Sequence, residues 1–331
     1  MINLKLVRPT YKYLSIMNTF LEYQLFIEEK IKENYIAYYP KELYDPIYYI
    51  LTLKGKRIRP ILCLLAEGLF QERTEKSIKP ALALELFHNF TLVHDDIIDK
   101  SPLRKGKMSV HKKWSVNTAI LSGDLLLSLS YQFFEGLPPL LFHKVLSEFS
   151  KMAIKVYQGQ QIDINLEKEL SENIEQYIQM AYHKTGSLIG CSLKIGAIMA
   201  KAPLDQSRKL YEIGKNIGIA FQMKNDLLDI FSKETPLYND LYKKKKSIVY
   251  FKALEKASSK EKEELLYFYS SKFINKEKID YIKEMFKNLY IEEEVEKEIN
   301  FYKEKSFDIL KSFKKESKEK NILEEFLIHS I

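Results

Sequence analysis

The chain predicts an all-α protein, and three observations carry that expectation. Eleven glycines and ten prolines in 331 residues leave few breakers. The long intervals between them are rich in Leu, Ile, Lys and Glu, which favour helices over a sheet with many tight turns. Apolar residues recur at helical intervals into the C-terminal third, as at Leu265, Leu266, Ile279, Met285, Leu289 and Ile309. No linker divides the chain, so it reads as one helical domain over 1–331 with a charged tail from about 312 to 331.

The elements follow in order. Helices are expected from about 20 to 39 and from about 60 to 70, joined through the basic loop Lys54-Gly55-Lys56-Arg57-Ile58-Arg59-Pro60, with Pro60 suited to a first turn. Pro80 opens a long helix toward Asp99, and Ser101-Pro102-Leu103-Arg104-Lys105-Gly106 ends it. Further helices are expected over roughly 115–134, 139–164, 171–199 and 205–231, punctuated by Pro138, Pro139 and Pro203. Shorter packing helices follow Pro236.

Composition narrows the class of function. The formal charge is +7, but acidic and basic residues are interleaved as on solvated helix faces, so nucleic-acid binding is not implied. Cys63 and Cys191 are isolated, which suggests neither a disulfide framework nor a zinc site and fits a reducing cytoplasm. The N-terminal residues lack a signal-peptide core. The apolar run from Ala119 to Phe134 is interrupted by Asp124 and hydroxyl residues, so no transmembrane segment is expected.

The chemistry is concentrated in Leu92-Val93-His94-Asp95-Asp96-Ile97-Ile98-Asp99, three carboxylates inside an apolar helical run. Burying like charges is costly unless cations neutralise them. At about 100° per residue Asp95 and Asp99 share a face and Asp96 lies to the side, a spacing that suits hard cations such as Mg²⁺. A second cluster, Asn225-Asp226-Leu227-Leu228-Asp229, repeats the spacing in a similarly apolar setting. Two such helices facing each other would form a multi-cation cage suited to a diphosphate ligand. Lys56, Arg57 and Arg59, with Arg104 and Lys105, supply the remaining positive charge. Arg can hold phosphate oxygens bidentately, whereas Lys acts as a point charge.

Taken in order, these residues resemble the trans-isoprenyl (polyprenyl) diphosphate synthases, the family that includes farnesyl and geranylgeranyl diphosphate synthases. The resemblance runs from about Gly55 to Lys246. It rests on Gly55-Lys56-Arg57-Ile58-Arg59-Pro60, the first acid cluster with Ser101-Pro102-Leu103-Arg104-Lys105-Gly106, and Ser122-Gly123-Asp124. It continues through Gly159-Gln160-Gln161-Ile162-Asp163, Lys184-Thr185-Gly186, Phe221-Gln222 with the second cluster, and Asn239-Asp240-Leu241.

The resemblance implies an isoprenoid synthase-type orthogonal helical bundle around a deep apolar cavity, with the acid clusters at its mouth. It implies condensation of isopentenyl diphosphate with an allylic prenyl diphosphate, assisted by Mg²⁺, three ions per site, with Mn²⁺ as an alternative. Asp95, Asp96, Asp99, Arg104, Lys184 and Asp226 would be catalytic. Asp95, Asp99, Asn225, Asp226 and Asp229 would ligate metal, with Asp96 in support. Arg104 and Lys184 would hold the allylic diphosphate. Lys56, Arg59, His88 and Lys105 would hold isopentenyl diphosphate, and Lys105 stands where the family usually has Arg. Thr185, Gln222 and Gln160 would line the reacting region. His94 is expected to be structural and Asp124 a brace. A homodimer is the family's habit.

Product length would be set by Phe90, about 7.5 Å down the helix from Asp95, where the resemblance implies that an aromatic blocks long chains. Periodicity alone turns it roughly 140° from Asp95. With small Thr91 beside it, a twenty-carbon product is expected over a fifteen-carbon one. Two departures from the pattern stand out. Asn225 replaces a family Asp, and the segment from Ile230 to Tyr238 is short and lacks a Phe-Gly-Lys turn, for which Lys233 or one of Lys243 to Lys246 would substitute. They leave two alternatives open: a terpene synthase-like enzyme that ionises a prenyl diphosphate, and a weakly active partner subunit of a heteromeric prenyl synthase.

Overall fold

The computed structural model describes residues 19–34, 39–72, 74–231, 240–271, 275–314 and 316–329. They form α1 (Phe20–Asn34), α2 (Lys41–Thr52), α3 (Ile58–Gly68), α4 (Ile78–Ile98), β1 (Leu103–Arg104), β2 (Lys107–Met108), α5 (Val110–Lys113), α6 (Val116–Gln132) and α7 (Pro139–Lys168). There follow α8 (Ile174–Ala181), a π turn over 182–186, α9 (Ser187–Met199) and α10 (Leu204–Phe231). The remainder is α11 (Ile248–Lys256), α12 (Ser259–Ser270), α13 (Lys276–Asn288), α14 (Ile291–Lys311) and α15 (Lys318–His329). The chain divides into two compact units. The first comprises residues to Phe149 with 192–208 and 315–323, and the second 150–191 with 209–314 and 324–331.

In the first unit α3 and α4 supply the centre. Ile61, Leu62, Leu64 and Leu65 of α3 and Ala81, Ala83, Leu84 and Phe87 of α4 are buried. Both helices are apolar on nearly every face, as expected of elements enclosed on all sides. Pro60 and Pro80 sit in the first turns of α3 and α4, where a missing N–H costs nothing. Beyond α4 the chain folds into a two-residue hairpin rather than a simple loop. Leu103 pairs with Met108 and Arg104 with Lys107, and the turn residues Lys105 and Gly106 have φ of 50° and 73°. Two successive positive φ values define the turn that best matches strand twist, and Gly106 supplies one of them without strain.

In the second unit, Tyr177, Ala220, Met223, Tyr250, Phe251, Phe286 and Ile291 belong to one apolar core built from α8, α10, α11, α13 and α14. The single helix expected over 171–199 is interrupted. A π turn at Tyr182–Gly186 separates α8 from α9, and periodicity does not report one inserted residue inside an otherwise helical run.

Two other expectations change. Helix α2 was hidden by Pro46, which lies inside it and reads in sequence as a breaker. The charged stretch near 312–331 is not uniformly solvated: from Lys318 it forms α15, and Ile322, Leu323, Phe326 and Leu327 are buried. Lys233, Pro236 and Asn239 lie outside the described residues. Among the described residues no helix is long and apolar enough to cross a membrane.

Candidate active site

In the first unit, the C-terminal half of α4 and the hairpin bring together the first acid cluster and a group of cations. Asp96 is 1% exposed. Arg104, carried by β1, forks onto its carboxylate, with Nε donating to Oδ1 at 3.0 Å and Oδ2 at 3.2 Å and Nη2 donating to Oδ1. The same Nη2 lies 3.8 Å from Oδ2 of Asp95. Burial pushes the Asp96 carboxyl up, and the hydrogen bonds and charge of Arg104 pull it only partly back. Burial works against the Arg104 charge too, but Asp96, Asp95 and Asp99 outweigh it and hold the guanidinium above its ordinary value. The three carboxylates are therefore unequal: Asp96 anchors Arg104, while Asp95 is half-buried and Asp99 exposed.

Arg57, Arg59, Lys105 and Arg104 surround His88. Burial first, and then these four charges, hold its imidazole well below the ordinary value, so it is neutral and can donate or accept. Arg57 itself turns inward from the left-handed region at φ 51°. It donates to Glu85 Oε1 at 2.8 Å and to the carbonyls of Leu51 and Leu53 at 2.6 and 2.9 Å. That ties the α2–α3 connection to α4 and leaves Arg59 and Lys105 as the cations whose charge is less well met. Burial, opposed by Glu85, pulls Arg59 down to about 10, and its Nε is buried without a partner. Burial and then Arg57 lower Lys105. Two desolvated cations beside a neutral imidazole make a place for an anion. Lys56 is exposed.

Phe90 is 6% exposed and stacks edge-on against Phe87 and His94, with ring centroids 5.4 and 4.8 Å apart. Thr91 donates to the His88 carbonyl at 2.7 Å. His94 Nε2 meets the Ile120 carbonyl at 3.2 Å and lies 3.8 Å from Oδ1 of the exposed Asp124. A cavity of about 270 Å³ in this unit is lined by Leu82, Leu86, Leu129 and Phe133; Phe90 follows Leu86 by four residues on the same side of α4, while Thr91 is turned away.

In the second unit the π turn presents Lys184 and Thr185 to α7 and α10. Lys184 Nζ donates to Asp163 Oδ2 at 2.6 Å, and Thr185 Oγ1 donates to Gln222 Oε1 at 2.8 Å. Gln222 Nε2 then donates to Asp226 Oδ1 at 2.9 Å, while the Tyr177 hydroxyl donates to Oδ2 at 2.6 Å. Asp226 is 2% exposed, and burial, reinforced by Asp240 against Lys245, pushes its carboxyl up to about 6. Burial also raises Asp240, with Asp229 and Asp163 adding to it against Lys245. Asp240 N donates to Asp229 Oδ2 at 2.5 Å, while Asn225 is exposed. The second cluster thus repeats the first: a buried, fully engaged middle carboxylate between outer oxygen-bearing side chains that are more open.

Gly159 explains how α7 comes so near. A Cβ there would lie 2.3 Å from the Lys184 backbone nitrogen, so only glycine allows the approach that lets Asp163 reach Lys184. Of the lysine run, Lys246 is buried and donates to the Glu167 carbonyl at 2.9 Å, Lys243 is exposed, and Lys245 is the one whose charge acts on Asp163, Asp226 and Asp240. Asp163 and Asp240 were visible in motifs but given no role, and Tyr177, on an ordinary amphipathic helix, carried no signal.

Comparison with known proteins decides the family. The model of the polyprenyl synthetase family matches residues 40–286. The chain belongs to the polyprenyl synthetase family. It is 36% identical over 262 residues to geranylgeranyl diphosphate synthase of Saccharolobus solfataricus, covering 77% of each chain. It is 33% identical over 258 residues to a short chain isoprenyl diphosphate synthase of Methanothermobacter thermautotrophicus, covering 76% of this chain and 79% of that one. A crystal structure of a geranylgeranyl pyrophosphate synthase superposes with a TM-score of 0.89 at 34% identity, over 94% of this chain and 98% of the other. The fold is accordingly the all-α isoprenoid synthase type, and the family member is a trans-isoprenyl diphosphate synthase, a prenyltransferase.

Proposed function

We propose that this short-chain trans-prenyltransferase condenses isopentenyl diphosphate with an allylic diphosphate and stops at geranylgeranyl diphosphate. The observation that carries the reading is the pairing, in each unit, of an acid cluster with cations, desolvated in the first. In the first, Asp95 and Asp99 lie beside Arg104, Arg59, Lys105 and neutral His88. In the second, Asp229 and Asn225 lie on the same helix as Asp226 and Gln222, the latter bonded to Thr185 next to Lys184.

The donor set suits a divalent ion. All the candidate ligands are oxygens, the preference of hard cations such as Mg²⁺, and Asp226 and Asp240 are raised by burial because their negative charge is not fully met. Among the described residues no three His, Cys, Asp or Glu side chains converge as a ready cation site, so on this reading diphosphate oxygens and water would complete the coordination. Asp95, Asp99, Asn225 and Asp229 would hold the ions, with Asp96 and Asp226 as supports. When bound, such ions supply positive charge at the departing diphosphate.

The side chains do the rest. Arg104 and Lys184 grip the allylic diphosphate and favour loss of its charge-separated leaving group. Arg59, Lys105, Lys56 and His88 hold isopentenyl diphosphate so that its double bond attacks the allylic cation. Thr185 and Gln222, locked to each other, border the reacting carbons. A proton then leaves the new chain for the released diphosphate, which is the strongest base formed in the step. We further propose that the chain acts as a single domain, as a homodimer, and in the cytoplasm, consistent with two buried free cysteines.

Incubating purified protein with Mg²⁺, labelled isopentenyl diphosphate and each allylic primer, followed by product chromatography, tests the reading. Twenty-carbon diphosphate supports it. Diphosphate-free terpenes would make the enzyme terpene synthase-like, and activity only with an added partner would make it a subunit of a heteromer.

A further inference from the structure

A second polar cluster lies beside the π turn and takes no part in the chemistry above. Lys155 of α7 donates from Nζ to the hydroxyl of Tyr182, the first residue of the π turn, at 2.5 Å, and to that of Tyr211 on α10 at 3.1 Å. The two hydroxyls are 3.1 Å apart. The ammonium also lies 4.9 and 5.3 Å from the two ring centroids. Lys215 of α10 stands 5.2 Å from the Tyr182 ring. Among the described residues Lys155 makes no salt bridge to a carboxylate. Burial, and then the hydrogen bond with Tyr182, hold the Tyr211 hydroxyl above its ordinary value, and the half-buried ammonium rests on the two phenol oxygens. Taking the ammonium out of water costs free energy, which the two hydroxyls and the ring faces offset.

Its position gives it a purpose. Lys155, Gly159 and Asp163 are spaced four residues apart and form one stripe along α7. Lys155 touches Tyr182, Gly159 lies against the backbone of His183 and Lys184, and Asp163 takes the Lys184 ammonium. On α10 the residues Tyr211, Lys215, Gly218 and Gln222 make the matching stripe. Tyr211 bonds Tyr182, a Cβ on Gly218 would meet Gly186, and Gln222 bonds Thr185. A π turn has one residue more than the α-helix around it and can slide along the helix unless pinned. Tyr182 is the point at which both stripes pin its start.

We infer that Lys155, Tyr182 and Tyr211 are positioning residues that fix the register of the π turn, and thereby aim Lys184 and Thr185 at the allylic substrate. The inference rests on the reading that Lys184 holds the allylic diphosphate. Lys155→Met removes both hydrogen bonds, and Tyr211→Phe removes a single oxygen and should fold as the parent does. Each should raise the KM for the allylic diphosphate about tenfold, the worth of one charge-assisted hydrogen bond, and leave the KM for isopentenyl diphosphate within about twofold. Lys155→Arg, which keeps the charge and donors, should recover most of the loss.

Amide exchange supplies a readout that needs no activity: the peptide spanning 182–186 should exchange faster in Lys155→Met, with the peptides of α11 and α13 unchanged. Unaltered allylic KM and unaltered exchange in both variants would overturn the inference. So would a rise in both KM values together with a falling Tm, the mark of general loosening. If the wild-type protein elongates no primer, the functional reading fails, and the exchange result alone then decides whether the cluster pins the turn.

Discussion

Replacing Gly159 by alanine places the smallest possible obstacle at the point where α7 meets the π turn. The added carbon would lie 2.3 Å from the Lys184 nitrogen and 2.7 Å from the His183 carbonyl carbon, whereas ordinary contact begins near 3.4 Å. The helix and turn must therefore part by about 1.1 Å, the difference between 3.4 and 2.3 Å. Because the obstacle is backbone, no rotamer change relieves it. The same displacement would stretch the Lys184–Asp163 bond from 2.6 Å to about 3.7 Å, beyond hydrogen-bond reach. Overpacking of this kind costs ~1–3 kcal/mol, which should lower Tm by several degrees. A misplacement of about 1 Å at a binding group costs on the order of 100-fold in rate. Activity should thus fall far more than stability, with kcat/KM for the allylic diphosphate down about 100-fold while a thermal melt still shows a folded protein. Steady-state kinetics alongside calorimetry would check both. A variant with wild-type kinetics and wild-type Tm would show that the approach of α7 to the turn does not set the position of Lys184.

Three further outcomes follow from particular residues. Asn225→Asp restores a negative charge to the second cluster and should lower the Mg²⁺ concentration needed for half-maximal activity about fivefold or more; an unchanged or weaker metal dependence would remove Asn225 from the ligand set. Phe90→Ala should lengthen the main product beyond twenty carbons by chromatography while costing ~3 kcal/mol of stability, because it also empties space beside Phe87 and His94; a lower Tm with unchanged product would make Phe90 a packing residue only. Glu67 is wholly buried, with Oε1 accepting from Thr74 and Gln71 and Oε2 without a partner, and burial raises its carboxyl. A raised folded value means that the folded state binds the proton more tightly than the unfolded chain, so this group's contribution is lost as pH rises from the ordinary carboxylate range through the raised one. Glu67→Gln should therefore gain Tm relative to wild type as pH increases from 4 to 8, and a pH-independent difference would contradict the assignment.

Much of the molecule was readable before any coordinates. Scarce breakers and Lys/Glu/Leu-rich intervals specified helices, and Pro60 and Pro80 marked two starts correctly. What stayed hidden has a physical cause in each instance. The π turn inserts one residue, which leaves the apolar rhythm on both sides intact. The hairpin at Leu103–Met108 is too short for alternation to register. Pro46 disguised α2, and the buried apolar residues of α15 are only four, set among lysines and glutamates. Within the site, spacing put Asp95 and Asp99 on one face and Asp96 to the side, but could not tell that Arg104 grasps Asp96 or that Tyr177 caps Asp226. Those partners come from elements distant in sequence, and neither hydrogen bonds nor burial leave a periodic trace. Arg57 looked like one more cation for the ligand and is instead a brace between backbone carbonyls and Glu85.

The enclosed middle carboxylates, Asp96 and Asp226, carry a lesson for anyone altering these acidic repeats. Lengthening a side chain by one methylene at Asp95, Asp99 or Asp229 adds reach where there is room for it. The same Asp-to-Glu change at Asp96 or Asp226 has no vacant volume to enter and would thrust aside Arg104 or the Tyr177–Gln222 pair. A run of aspartates that looks uniform on paper is therefore a mixture of tolerant and intolerant positions, alternating within a single turn of helix.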